Sequence, residues 1–418
     1  MQGVATLTCD AGRLTSGEGL FILVGRMLDR IERGEVLEVV SSEPSVGHDL
    51  SAWARLEAHP YLGSTSEDGR SAHFVQKGNA RRIMTAEEPD WGQRADLEEG
   101  RFETAAWLIG RAGRIPERAD PHLGFAPRGA VVERGAPRFP FDVIEAERAW
   151  SDSAAELYEQ ATAAQWDASR DIPWGDLVPI EPELERSVCQ LMTFLAENEY
   201  SALYVPAQWI PRIHPVFAET VLFLATQVAD EARHIEAFCK RALSNGGGLQ
   251  FSTASTQASL KSLLDQEDFL RASFLLSVLG EGTFLDLLKY VETHSPEPVT
   301  REIARRARVD ESRHVHFARS HLRGAVASDS RLKENLRRAV LERASVLSEV
   351  KGLNPLVEES LAILAAGGLD AARLPRGMKA RAALYDTMHE NRVKRLVAVG
   401  FGETEAAELS MLHTPNFM

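Results

Sequence analysis

The sequence predicts an α+β multidomain chain: a small α/β sandwich, then a mainly α portion built on a four-helix bundle with extra carboxyl-terminal helices. Three observations carry this reading. The first 78 residues mix short β-branched runs with amphipathic stretches. From Phe141 onward, apolar residues recur at three-to-four-residue spacing and no βαβ alternation remains. Two near-identical pentapeptides, each holding Glu-x-x-His, lie 80 residues apart inside that helical portion.

In the amino-terminal part, Val4–Thr8 reads as a short strand and Gly19–Arg33 as a helix ending at Gly34. Val36–Val40 is a β-branched strand, and Ser42–Ser45 supplies turn residues. Ser51–His59 reads as a second helix, and Ala72–Val75 as a last strand after the Asp68-Gly69 turn. Residues 79–140 are rich in Arg, Gly, Pro and acidic residues and read as a connecting segment, with one helical hint at Thr104–Arg111. Beyond it, helical periodicity covers Val143–Trp166, Leu184–Tyr204, Pro215–Ser244, Ser259–His294 and Val299–Val326. Breaks are expected at Pro206, Pro211, Asn245–Gly248 and Pro296/Pro298. Further helices are expected over Arg331–Val350, Pro355–Ala366 and Gly377–Val399. The domains are therefore read as 1–78, a connector 79–140, a bundle 141–330 and a carboxyl-terminal extension 331–418.

The bulk composition excludes several functions. The 418 residues carry a net charge of −14, so no basic field exists to hold nucleic acid or an anionic membrane. The cysteines, Cys9, Cys189 and Cys239, are odd in number and widely spaced, which fits neither a disulfide framework nor a zinc ribbon. No charged-then-apolar leader opens the sequence, and no apolar run reaches the ~18 residues of a membrane span. A reduced, cytoplasmic compartment is the expectation.

The chemistry rests on Asp230-Glu231-Ala232-Arg233-His234 and Asp310-Glu311-Ser312-Arg313-His314. Glu and His three apart on a helix sit about 60° apart around the axis and about 4.5 Å along it. Both side chains can then reach one ion. A single such pair on a helix is common; two copies, each with Asp before and Arg between, are not. A Glu-x-x-His from each of two helices plus a Glu from each of two others is how bundle cores hold paired metals.

The remaining carboxylates are sought on the preceding helices. Glu281, in Leu279-Gly280-Glu281-Gly282-Thr283, lies within an apolar stretch where an unpaired carboxylate is costly. Upstream of the first motif the choice is Glu197 or Glu199, and Glu199 shares the stripe of Leu195, Ala202 and Leu203. The expected ligands are thus Glu199, Glu231, His234, Glu281, Glu311 and His314. Four carboxylates balance two divalent ions, and oxygen donors with imidazole suit iron or manganese. Asp230 and Asp310 are expected to hold the distal N–H groups of the ligand histidines, with Arg233 and Arg313 anchoring them. Tyr204 and Cys239 are pocket candidates.

These paired D-E-x-R-H segments resemble those of the ferritin-like diiron-carboxylate oxygenase/oxidase superfamily, over roughly residues 185–325. Asn198-Glu199-Tyr200-Ser201-Ala202 resembles the first-helix ligand segment of its monooxygenase hydroxylases. The resemblance implies an O2-activating enzyme with two Fe ions, or Mn/Fe, acting on a small organic substrate by hydroxylation, N-oxygenation or desaturation. It also implies an external electron donor such as a reductase or ferredoxin, since no flavin, nicotinamide or iron–sulfur motif is visible. The alternatives are a ferroxidase that handles iron and a noncatalytic adaptor in sulfur metabolism. The carboxyl-terminal helices either cover the bundle or form a homodimer interface.

Residues 4–78 resemble the TusA/SirA family of small sulfur carriers. The likeness is carried by Asp10–Gly19 with its following helix, Gly34–Val39 and Gly78. The family's Cys-Pro-x-Pro is Ser16-Gly17-Glu18-Gly19 here, so the thiol and both prolines are gone. Cys9 reads as a small buried hydrophobe, and the module as a docking or dimerisation element.

Overall fold

The computed structural model describes residues 4–78, 115–128, 130, 132, 136–348 and 354–413. The helix expected at Thr104–Arg111 and most of the connector lie outside the described residues. Two compact units are present, and each is described by itself.

The amino-terminal unit runs β1 (Leu7–Gly12), α1 (Leu20–Leu28), β2 (Val36–Ser41), α2 (Val46–Leu56), β3 (Tyr61–Glu67), β4 (Arg70–Gln76). Its sheet has the order β1-β2-β4-β3, with β1 and β2 parallel and the other pairings antiparallel. Leu20, Val24 and Leu28 of α1 and Val46, Leu50 and Ala54 of α2 belong to one core with Leu37, Val39 and Val75 of the sheet. The strand expected at Val4–Thr8 is displaced to Leu7–Gly12. The second helix starts five residues earlier than expected and stops at Leu56, ahead of Ala58, which has φ 61°. β3 was not anticipated: it is an edge strand whose residues are largely exposed, so burial imposes no alternation on Tyr61–Glu67. The Asp68-Gly69 turn has positive φ at both residues, as a tight hairpin requires.

The helical unit contains α3 (Ala146–Ala149), α4 (Ala154–Ala163), α5 (Pro182–Trp209), α6 (Ala218–Ser244), α7 (Ala254–Leu264) and α8 (Phe269–Ser273). A π-helical segment, Phe274–Glu281, joins α8 to α9 (Gly282–His294). Then follow α10 (Pro298–Ser328), α11 (Ser330–Ser348), α12 (Pro355–Ala366), α13 (Leu374–Val399) and α14 (Glu403–His413). A four-helix bundle consists of α5, α6, the α8–π–α9 run and α10, with α12 and α13 packed outside it.

Three helices depart from expectation. Pro206 does not end α5, because it falls in the last turn, where the lost N–H removes one bond shortly before the helix ends at Trp209. The helix expected over Val143–Trp166 splits into α3 and α4 at an extended Trp150. The run Ser259–His294 breaks at Asp265–Asp268, where no apolar residue offers burial and the Asp268 carboxylate accepts the Arg271 N–H to cap α8. α14 was not anticipated.

A buried ionic triad ties the bundle at one end. Arg241 of α6 grips Glu185 of α5 through two donors, at 2.6 and 2.9 Å, and donates its Nε to Glu297 at 3.0 Å. Glu297 also caps α10, accepting the Val299 N–H at 2.7 Å and the Thr300 N–H at 2.9 Å. Arg241→Ala leaves two carboxylates stranded away from water and is expected to lower stability by about 3–5 kcal/mol. Urea unfolding checks this.

Candidate metal centre

Each of the four bundle helices delivers carboxylate at one level. α6 presents Glu231 and His234 one turn apart, and α10 presents Glu311 and His314 likewise. Glu199 comes from the middle of α5, and Glu281 is the last residue of the π-helical segment. All six are almost fully buried.

Their donor atoms fall into two overlapping groups. Glu199, Glu231, His234 and Glu311 form one; Glu231, Glu281, Glu311 and His314 form the other. Within each, four atoms lie within 4.8 Å of one another. Donors held at about 2.1 Å from one ion lie at most about 4.2 Å apart, so a contraction of a few tenths of an ångström closes either group. Glu231 and Glu311 belong to both, so either could be shared by two ions held there. Glu199 with His234, and Glu281 with His314, complete the two ends.

The histidine orientations are set from behind. His234 Nε2 lies 3.1 Å from Asp310 Oδ2, and His314 Nε2 lies 3.3 Å from Asp230 Oδ2. Each motif's aspartate thus serves the other motif's histidine. Arg233 pairs with Asp230 and, at 3.2 Å, with Asp310; Arg313 pairs with Asp310 and, at 3.3 Å, with Asp230. With Nε2 so engaged, both Nδ1 atoms face the glutamates: His234 Nδ1 is 3.0 Å from Glu231 and 3.3 Å from Glu311, and His314 Nδ1 is 3.0 Å from Glu231.

The donor set fits a pair of cations. Glu199 Oε1 and Glu281 Oε2 are buried with no hydrogen-bond partner, and Glu231 Oε1 and Glu311 Oε1 face only the imidazole Nδ1 atoms, at 3.0 and 3.3 Å. A buried acceptor left bare costs about 1–3 kcal/mol, and ions bound among these oxygens and nitrogens would satisfy all of them. Burial, then the charges of Glu231 and Glu311, raise Glu199 well above the carboxylate range; burial, then Glu311, do the same to Glu281. Burial disfavours charge on both histidines, yet the facing carboxylates and aspartates outweigh it and raise His234 and His314. Burial likewise opposes ionisation of Glu231, but His314 and His234 hold it down at about 2.

Glu197 faces elsewhere, bonded to Ser252 and, at 3.0 Å, to Gln257. The two pocket candidates are Tyr204 and Cys239. Tyr204 is 55% exposed, and it follows Glu199 by five residues, about 140° around the axis. Cys239 bears the same relation to His234 and packs at the edge of the core. Sequence reasoning missed Gln227, whose Nε2 donates to Glu281 Oε1 at 2.9 Å, and Trp166, whose Nε1 donates to Asp310 Oδ2 at 2.7 Å. Gln227 was detectable as a polar residue on the buried stripe one turn before Glu231. Trp166 follows α4, outside the bundle helices, and read only as the end of the helical periodicity over Val143–Trp166. Of the other histidines, His214 accepts the Val216 N–H at 3.1 Å, His321 lies 3.0 Å from the Arg148 carbonyl, and His316 is exposed.

In the amino-terminal unit, Ser16–Glu18 forms a single 3₁₀ turn that leads into α1. Cys9 is 2% exposed, and burial, then Asp10, push its thiol up.

No family model matches the chain. A putative sulfur carrier protein YrkF of Bacillus subtilis is 33% identical over 101 residues, 23% of this chain and 54% of its own length. The chain thus spans about half the length of that curated relative, and the likeness supports the sulfur-carrier resemblance of the amino-terminal part. Among solved structures, R2-like ligand-binding oxidases align with the chain. One with an aerobically reconstituted Mn/Fe cofactor covers 59% of this chain and 94% of its own at 19% identity, with a TM-score of 0.44. A long-soak form covers 59% and 93% at 19% identity, with a TM-score of 0.43. Among the described residues, no helix is long and apolar enough to cross a membrane.

The protonation pattern predicts how metal affinity responds to pH. Protons held on Glu199, Glu281 and both imidazoles must leave before those atoms can bind an ion, so affinity rises with pH and ions are shed on acidification. Chelator competition between about pH 5.5 and about pH 8 measures this, with up to about a tenfold gain per pH unit for each proton expelled. A flat profile contradicts the assignment.

Proposed function

We propose that the chain is a non-haem dimetal oxidoreductase, an oxygenase or oxidase that reduces O2 and oxidises a small organic substrate. The observation that carries this is the pair of donor groups sharing Glu231 and Glu311, each with its own imidazole and terminal carboxylate. Two bound irons, or manganese and iron, supply the electrons that O2 reduction requires. Four carboxylates keep such a pair near neutrality in its divalent state. The aspartate–arginine network fixes both imidazoles in the tautomer that turns Nδ1 inward.

The surroundings favour catalysis within a dry site. Phe223 lies against His314, Phe238 and Trp166 against His234, with ring centroids 6.3–6.4 Å apart. Rings placed so close keep bulk water from the donors and strengthen their hold on charge. An oxygenase that puts one atom of O2 into substrate and the other into water needs two electrons from outside. We assign these to a partner reductase or ferredoxin, because the sequence holds no electron-carrying motif. The three free cysteines suit a reduced, cytoplasmic setting. Residues 1–78 are assigned as a docking or dimerisation module, 79–140 as the connector, 141–330 as the metal-binding bundle and 331–418 as its cover.

Anaerobic Fe(II) titration is expected to saturate at about two ions per chain. Oxygen should then be consumed in one burst that halts without a reductant. Sustained oxidation of excess Fe(II) would mark a ferroxidase instead, and no metal uptake at all would leave only an adaptor. Glu231→Ala or Glu311→Ala each removes a shared ligand and should reduce uptake of both ions, a loss either metal chemistry would suffer and an adaptor would not. Cys9 should react with thiol reagents at least about tenfold more slowly in the folded protein than after denaturation, as its burial and raised pKa require; rapid native labelling would reopen a sulfur-carrier role.

A further inference from the structure

The helices after residue 330 carry no chemical motif, yet α13 reaches the residue beside a ligand. Asn391, Arg392 and Arg395 meet Asp286, Thr283 and Gly282, the first turns of α9, beginning one position after Glu281. Gly282 has an ordinary helical φ of −57°, so no turn demands a glycine there. What demands it is Arg395: a Cβ on Gly282 would stand 2.5 Å from Arg395 Nε and 2.8 Å from Cδ. Arg392 Nη2 donates to Thr283 Oγ1 at 3.0 Å, and that hydroxyl donates to the Leu279 carbonyl at 2.6 Å, inside the π-helical segment. Asn391 donates to Asp286 at 2.7 Å, and Arg395 Nη1 lies 3.8 Å from the same carboxylate.

These contacts bear on a backbone that needs holding. In the π-helical segment the Gly282 N–H reaches back to the Ser277 carbonyl, one residue further than in an α-helix. Each residue that relaxed to α winding would rotate Glu281 about the helix axis and away from Glu311 and His314. Arg395 is also costly where it sits. It is 8% exposed, and neither Nε nor Nη2 has a hydrogen-bond partner. A buried guanidinium so poorly paired is poor value for stability alone, since apolar replacements of such groups are often neutral or stabilising.

We infer that Arg395, seated on Gly282, with Arg392 on Thr283, is a positioning pair that holds the π winding of Phe274–Glu281 and so places Glu281 in the second donor group. This rests on the two-metal reading of the site. The carboxyl-terminal extension is then part of the metal centre's framework, selective for one of its two ions. The contacts above fall beside Glu281, which belongs to the second donor group alone.

Mn(II) titration of the full-length protein, followed by electron paramagnetic resonance, tests the pair. The wild-type chain should bind two ions and give the broadened signal of a coupled pair. Arg395→Met should keep or raise the melting temperature, bind the first ion with unchanged affinity, and weaken the second at least about tenfold, so that the signal of isolated Mn(II) appears. Gly282→Ala approaches the same contact from the helix side and should reproduce the selective loss. Two ions bound with wild-type affinity in both variants would overturn the inference while leaving the two-metal reading intact. Parallel loss of both ions with a lowered melting temperature would also overturn it, as the mark of a purely structural role. A wild-type chain that binds no Mn(II) or Fe(II) would defeat the metal reading itself, and this inference with it.

Discussion

Repulsion among four buried carboxylates is the constraint to which the rest of the helical unit answers. Two like charges 4 Å apart interact by about 4 kcal/mol at the effective dielectric of a protein, and the donors of each group lie within 4.8 Å. A few such terms equal the whole stability of a typical domain, about 5–15 kcal/mol. Without ions the cluster is tolerable only when protons neutralise it. That is the pattern found: Glu199 and Glu281 are raised, both imidazoles are raised, and the shared Glu231 is left ionised between the two rings. Two cations would do the same neutralisation better, because they would also satisfy the buried oxygens of Glu199 and Glu281 that lack a partner.

Such a cluster needs a framework stiff enough to resist spreading apart, and the crossed aspartates supply it. Had each aspartate served its own helix's histidine, α6 and α10 could separate without breaking either bond. Because Asp310 holds His234 and Asp230 holds His314, any separation breaks both. The arginines repeat the logic, each touching both aspartates. Asp and Arg are therefore integral to the pentapeptide: the Glu and His converge on the cluster, and the Asp of one copy, anchored by both arginines, fixes the His of the other.

The six donors were legible because their residue types are expensive in an apolar stripe, and the duplicated spacing removed coincidence. Glu199 was separable from Glu197 by its stripe, and the structure turns Glu197 toward Ser252 and Gln257. What was illegible depends on geometry that helical periodicity does not encode. The π winding through Phe274–Glu281 is hidden because every residue in it is buried, so no polar face marks the change of pitch. Trp166 and Arg395 act from elements far away in sequence, and only the folded chain brings them near. Tyr204 and Cys239 were expected near the site by proximity in sequence, and each stands about 140° around its helix from the donor candidate five residues before it. β3 was missed because an exposed edge strand need not alternate.

The two ends of the cluster, alike in ligands, are reached by different means. Glu199 projects from the middle of a 28-residue α-helix whose packing alone sets its direction. Glu281 depends on a π-wound segment, on the Gln227 amide that takes one of its oxygens, and on the contacts of α13 behind it. Two sites that share Glu231 and Glu311 but differ in how their third carboxylate is held are not equivalent in stiffness. Ions of similar charge differ in the geometry they demand, and intrinsic affinity alone favours the same metals at every nitrogen–oxygen site. The asymmetry between α5 and the π-helical segment is therefore an asymmetry in how far each end of the cluster can yield to an ion held there.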